Sequence, residues 1–285
     1  MLGSGLSNQV GAALGALAFP VIGPVGVVAV RQWVAAVVLW SAGRPRLREF
    51  TAQQWWPVVA LALVFATMNL SLYAAIDRIG LGLAVTLEFL GPLTVALISS
   101  RRGSDVLGAL SVAAAVVVLT RPGPSTDFLG VGLALLAAAC WGCYVLLNRT
   151  IGQRLPGIEG PAAAAAISAV VYLPIGVIVL WHSPLTVAAL ACALVAGILS
   201  SAVPFLCDLL ALRRVPTALF GVFMSVHPVF AALVGLVVLG QHLPVTAWSA
   251  ILVIVAVNVL VVTRTGFPRV QAHQAQGPEP AAGGA

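Results

Sequence analysis

The sequence predicts an all-α membrane protein with ten transmembrane helices in two inverted-topology five-helix repeats, and three observations carry that prediction. Of the 285 residues, 61% are hydrophobic and 8% charged, with a mean hydropathy of +1.08, against roughly 25% charge in soluble domains. The apolar residues gather into ten runs, most of them about 17 to 25 residues, the length that crosses a bilayer; the fifth is short and the eighth overlong. The chain also matches itself at an offset of 136 positions, pairing Leu70/Leu206, Ala75/Ala211, Arg78/Arg214, Leu83/Leu219, Pro92/Pro228, Ala96/Ala232 and Leu97/Leu233. In so apolar a chain the Arg and Pro pairs carry the information.

The runs place spans near 3–20, 25–42, 55–76, 80–99, 105–120, 128–148, 161–181, 185–212, 217–239 and 244–263. The first is short and carries Ser7, Asn8 and Gln9; lacking a basic leader, it reads as a retained span rather than a cleaved signal. The eighth is overlong, and Pro204 is expected to kink it. Ten spans divide into five and five. An odd number per set makes the second copy cross the membrane upside down, giving repeats at 1–122 and 123–265. Residues 266–285, rich in Pro, Gly, Ala and Gln, read as a disordered cytoplasmic tail.

All fourteen basic residues are Arg. Arg44, Arg46, Arg48, Arg101, Arg102, Arg149, Arg154, Arg213, Arg214, Arg264 and Arg269 fall on one side of this topology, Arg78 and Arg121 on the other, and Arg31 inside a span. The positive-inside rule then puts both termini in the cytoplasm. The net charge of +6 forms no stripe or tail, so nucleic acid is not an expected partner. Cys140, Cys143, Cys192 and Cys207 all lie in apolar runs. Cys140-Trp-Gly-Cys143 has redox spacing but sits mid-span, away from the water that thiolate chemistry needs, and reads as packing. Trp55, Trp56, Trp181 and Trp248, near span ends, read as interfacial belt residues.

Polar residues inside the spans are the functional candidates, because a bare charge at mid-membrane costs about 2.5–3.5 kcal/mol on insertion scales. Glu88 lies about eight residues into its span, roughly 12 Å deep at 1.5 Å per residue. Arg31 reaches a similar depth from the same outer face. Two arrangements are open. Paired with Arg31, Glu88 stays charged and serves structure or a substrate amine; unpaired and dry, it can take up a proton. His227 is mid-span in the ninth helix, where an imidazole suits proton exchange or a bond to a neighbouring helix. Asp208, near Arg213, either gates an inward-facing cavity or reaches to the interface. Gln9, Asn69, Tyr73, Trp141 and Tyr144 offer hydrogen-bonding or aromatic surface to a central cavity, or helix packing. Gly91-Pro92 and His227-Pro228 set a helix breaker mid-span in both repeats, an irregularity tolerated where it is buried or lines a cavity.

The segment Ala84-Val-Thr-Leu-Glu88-Phe-Leu-Gly91-Pro92-Leu-Thr-Val-Ala-Leu-Ile-Ser-Ser-Arg101-Arg102 closely resembles the fourth helix of the bacterial threonine and homoserine exporters, in the EamA branch of the drug/metabolite transporter superfamily. Phe19-Pro20, Arg31, Cys140-Trp141, Tyr144, Leu199-Ser200, Pro204, Phe220-Gly221 and Met224-Ser225 extend the likeness. It implies ten helices in two inverted repeats and efflux of small amphiphilic metabolites driven by protons. Such exporters usually carry an acid where this chain has His227, and many relatives read Leu-Gly-Glu where it reads Leu239-Gly240-Gln241.

The expected function is thus export of threonine- or homoserine-like amino acids across a bacterial cytoplasmic membrane, by proton antiport and alternating access, with other small metabolites or drugs as the alternative. Substrate, protons and the bilayer are the expected partners; no cofactor or metal is expected. An intramembrane enzyme is disfavoured, since His-Glu-x-x-His, Gly-x-Gly-Asp and any Gly-rich phosphate loop are absent from the sequence.

Overall fold

A computed structural model describes residues 2–100, 111, 114–118, 127–204 and 225–265. Among them there is no strand. Ten helices are labelled here in chain order: α1 Leu2–Leu17, α2 Phe19–Gly43, α3 Ala52–Ile79, α4 Leu81–Glu88, α5 Leu90–Ser100, α6 Phe128–Gly152, α7 Glu159–His182, α8 Val187–Gly197, α9 His227–Leu239 and α10 Val245–Thr265. Helices α2, α3, α6 and α7, of 25, 28, 25 and 24 residues, are about 36 to 42 Å long at 1.5 Å per residue, more than the ~30 Å hydrocarbon core. Expected spans at Asp208, Cys207, most of 105–120 and the tail 266–285 lie outside the described residues.

Several helix ends follow from local chemistry. Thr51 and Gln54 close a capping box at the start of α3, with Thr51 N donating to Gln54 Oε1 at 2.9 Å. Asp127 caps α6 by accepting from Gly130 N at 2.8 Å, and Thr186 accepts from Ala189 N at the start of α8. Gly23, at φ 64°, interrupts α2 just before Pro24. Only a residue without Cβ enters that region readily, and the proline behind it cannot complete the ladder.

The fourth run is one span broken in two. Helix α4 ends at Glu88, Phe89 forms a turn, and α5 resumes at Leu90. Pro92 has no N–H to give the Glu88 carbonyl four residues back, which accounts for the break lying one turn before the proline. In the eighth run the irregularity is likewise displaced: residues 198–202 form a π-helical turn before Pro204.

Small residues make the interfaces. A Cβ at Gly176 would meet Ala29 and Trp33, one at Gly82 would stand 2.9 Å from the Ala232 Cα, and one at Gly91 would run into the Ala138 carbonyl. Backbones therefore approach closely, as they do between helices in lipid, where apolar burial gives no drive to associate. Helix α2 lies on α7, α4 on α9, α3 on α6 and α7, α1 on α8 and α9, and α6 on α4 and α5. The outward faces are apolar: Trp181 is 84% exposed, Val187 88% and Val237 80%, with Trp56 also exposed. A surface of that kind belongs against lipid rather than water. Trp55 instead packs on Phe50, and Trp248 against the core.

Candidate functional site

A polar centre is built around Arg31, and its support comes from a gap in a neighbouring helix. Pro204 cannot donate to the Ser200 carbonyl four residues before it. That carbonyl instead accepts Nη2 of Arg31 at 3.3 Å. The same turn is tied to α1 twice: Ser7 Oγ donates to the Leu199 carbonyl at 2.9 Å, and Ser200 Oγ to the Asn8 carbonyl at 3.0 Å. A π-helical turn frees backbone groups and recurs at functional sites; here it carries the acceptor that holds a guanidinium.

On its other side the guanidinium lies 5.0 Å from the centroid of the Tyr73 ring, a cation–π distance. Tyr73 is fully buried and meets Phe19 edge-on at 5.9 Å. Among the described residues, Arg31 Nε, the Tyr73 hydroxyl and Gln9 Oε1 are buried without a hydrogen-bond partner, as are Trp33 Nε1 and Ser168 Oγ. Four helices, α1, α2, α3 and α7, thus each carry a desolvated polar atom awaiting a partner, and such atoms are rare in folded proteins.

Glu88 is 6% exposed and ends α4 at the break. No ion pair within 4.0 Å joins it to Arg31, and no hydrogen bond reaches Glu88 among the described residues. Of the two arrangements open in the sequence, the structure thus shows no contact pair. Phe89, next to Glu88 in the chain, stacks edge-on against Trp141 at 5.4 Å.

His227 opens α9 after a turn at 225–226, which the repeat offset aligns with Phe89 and Leu90. Its ring is buried against Gly5 of α1, where a Cβ would stand 2.9 Å from Nε2. Pro228, next to it in the chain, is buried; at the matching offset Gly91 is buried and Pro92 half-buried. Asn69 turns back on its own helix, donating to the Phe65 carbonyl at 2.8 Å. Tyr144 stacks on Phe65 at 5.7 Å and belongs to a second apolar cluster with Val58, Leu61 and Ile151. Cys140 is half-buried and Cys143 exposed, both as free thiols. Asp208 lies outside the described residues, and Pro204 is the last residue before them resume at 225.

Sequence reasoning passed over three contributors. Ser200 could have been found by counting four residues back from Pro204. Gln32, buried beside Arg31, donates to the Phe65 carbonyl at 3.4 Å. Tyr172 ties α7 to α3 by donating to the Ala66 carbonyl at 2.9 Å. At one end of the bundle, Gln241 Oε1 accepts from Leu81 N at 2.9 Å and so caps α4. There Arg78 Nε also pairs with Asp127 at 2.9 Å. At the opposite end of α3, Arg46 pairs with Glu49 and with Glu159. Two depressions flank Trp40 near that end: one of about 400 Å³ lined partly by Arg46, Arg48 and Glu49, and an apolar one of about 370 Å³; Glu88 lines neither.

Comparison with known proteins places these features in context. The model of the EamA-like transporter family matches residues 128–263. The chain is 36% identical over 262 residues to the threonine/homoserine exporter RhtA of Salmonella typhimurium strain LT2, covering 88% of this chain and 86% of that one. It is 37% identical over 247 residues to threonine/homoserine exporter RhtA of Escherichia coli K12, with 83% and 81% covered. A solved crystal structure superposes with a TM-score of 0.61 at 20% identity, spanning 93% of this chain and 97% of the other, and so shares the fold.

Proposed function

The chain belongs to the EamA-like transporter family, and from that membership we propose that it exports threonine, homoserine or similar small amino acids by proton antiport and alternating access. It is similar to threonine/homoserine exporters over more than four-fifths of its length. The observation that carries the mechanism is Glu88: a buried acid at a helix break, with no ion pair among the described residues. A carboxyl so placed can alternate between a proton and a substrate amine.

The proposed architecture is ten spans, in two inverted repeats at 1–122 and 123–265, with both termini cytoplasmic. The helix pairing supports a two-fold relation between the halves. Counting α4–α5 as span four, spans two and seven pack together, as do four and nine. Span one lies on eight as six lies on three, and one on nine as six on four. Exchanging each span n with n+5 leaves this pattern unchanged. In such folds substrate sites sit at the repeat interface near the midplane, beside broken helices.

His227 favours a second reading, export of other small metabolites, since the exporters this chain resembles usually have an acid there. Proteoliposomes separate the two. A pH gradient is expected to drive threonine and homoserine flux, and Glu88→Gln to cut that flux at least tenfold. Gradient-independent flux that survives Glu88→Gln intact would sink the coupling. Flux of neither amino acid, alongside gradient-driven flux of another metabolite, would select the second reading.

A further inference from the structure

We infer that the end of the bundle around Trp40 holds a site for an anionic glycerophospholipid, its phosphate on Arg48 and an acyl chain in the apolar groove between α2, α3 and α7. This is a second site, separate from Glu88, and it stands whatever substrate the carrier moves.

The two depressions at that end are continuous, because Trp40 and Leu47 line both. The one of about 370 Å³ is walled by Trp40 of α2, Trp55 of α3 and Ala163, Ala166 and Val170 of α7, and no charged residue lines it. Its origin lies in the alanine run 162–166. Small side chains bring α7 so close to α2 that a Cβ on Gly43 would stand 2.8 Å from that of Ala162, and they leave a furrow between the two bulky indoles. Val170, 67% exposed, opens that furrow to the apolar outer surface. The depression of about 400 Å³ takes in Arg46, Arg48 and Glu49 instead. Tryptophan gathers at the membrane–water interface, and Trp40 and Trp56 are both exposed at this end. The joined depressions therefore straddle the level where acyl chains give way to headgroups, apolar on one side and charged on the other.

Charge decides the headgroup. Arg46 engages Glu49 at 3.2 Å and Glu159 at 3.6 Å, and Glu159 also accepts from the Arg46 amide at 3.4 Å. These bonds tie the loop to α7 and occupy both carboxylates. Arg48, exposed in the short turn Leu47–Glu49, has no ion pair among the described residues. A guanidinium matches phosphate oxygens with paired donors, and basic pockets beside membrane helices hold anionic headgroups in this way. A phosphate without an amine completes the site. A zwitterionic headgroup would bring an ammonium to carboxylates already taken, and a free phosphate would use only the charged half.

The test is native mass spectrometry of the purified full-length chain in detergent, with equimolar phosphatidylglycerol and phosphatidylethanolamine of the same acyl composition. Wild type is expected to retain one phosphatidylglycerol at least fivefold more than phosphatidylethanolamine. Arg48→Gln should bring phosphatidylglycerol down to the phosphatidylethanolamine level and leave the latter unchanged. Ala166→Leu, which fills the furrow, should weaken retention of both lipids. Arg149→Gln removes an exposed cation from the last turn of α6 at the same end, lining neither depression, and should keep the wild-type preference. Equal retention of the two lipids by wild type would overturn the site, and that observation needs no variant. An Arg149→Gln loss as large as that of Arg48→Gln would replace the site with a diffuse surface charge. Displacement of phosphatidylglycerol by excess inorganic phosphate, with Ala166→Leu without effect, would leave a free-anion site and overturn the lipid assignment.

Discussion

At the scale of single residues, Gly91 shows how one side chain can be read for the wrong reason. Beside Pro92 it suggests helix breaking, yet the break falls at Phe89, and Gly91 is instead where α5 meets the backbone of α6 at Ala138 and Gly142. A methyl there has rigid backbone to displace. Gly91→Ala is expected to destabilise the protein by about 1–3 kcal/mol, the usual cost of overpacking. Gly142→Ala, whose Cβ would meet the Val95 side chain at 3.4 Å and the Gly91 carbonyl at 3.6 Å, both ordinary contact distances, is expected to be near neutral. Thermal unfolding in detergent compares the pair, and equal losses would refute the close-approach account. Arg31, Glu88, Gln9 and Tyr73 were legible as candidates because polar atoms are costly in apolar spans. That Asn69 bonds its own helix and Tyr144 joins another cluster was not, since both depend on which way a helix faces.

Among elements, ends were more legible than interruptions. The spans expected at 55–76 and 161–181 stand as Ala52–Ile79 and Glu159–His182, extended by a few residues because caps such as Thr51–Gln54 lie outside the apolar run. The breaks near Pro92 and Pro204 were displaced by up to a turn, because a proline acts on the carbonyl four residues before it. Gln241 is a further case. A departure from Leu-Gly-Glu in sequence, it caps α4 through its side-chain oxygen, a task Glu performs equally and with a favourable helix dipole. Gln241→Glu should therefore keep stability, while Gln241→Leu should lose about 1 kcal/mol, typical of a removed cap; chemical denaturation in detergent reads both. At α6, Asp127 is held below its ordinary value of 3.8, first by the Gly130 amide and then by Arg78. A depressed carboxyl contributes stability above its unfolded pKa and loses it as pH falls through the folded one. Acidification from pH 6 to pH 3 should lower the melting temperature more in wild type than in Asp127→Asn, which keeps the cap and loses the charge. Parallel declines would remove Asp127 from the account.

For the whole molecule, an all-helical membrane fold was readable from hydropathy alone, whereas the pairing of helices was not, because lipid-embedded faces are uniformly apolar and small residues recur on every side. Pairing places one exposed ionic contact between the proposed halves at each end of α3: Arg78–Asp127 at one and Arg46–Glu159 at the other. Exposed pairs contribute about 0–1 kcal/mol at most. For a carrier that weakness is kinetically useful. Latches of several kcal/mol would make one conformation a deep trap and throttle turnover at its opening. In the proposed alternating-access cycle, two weak ones, similar in kind, would keep the energy profile nearly level, so that direction would be set by the gradients across the membrane rather than by the protein.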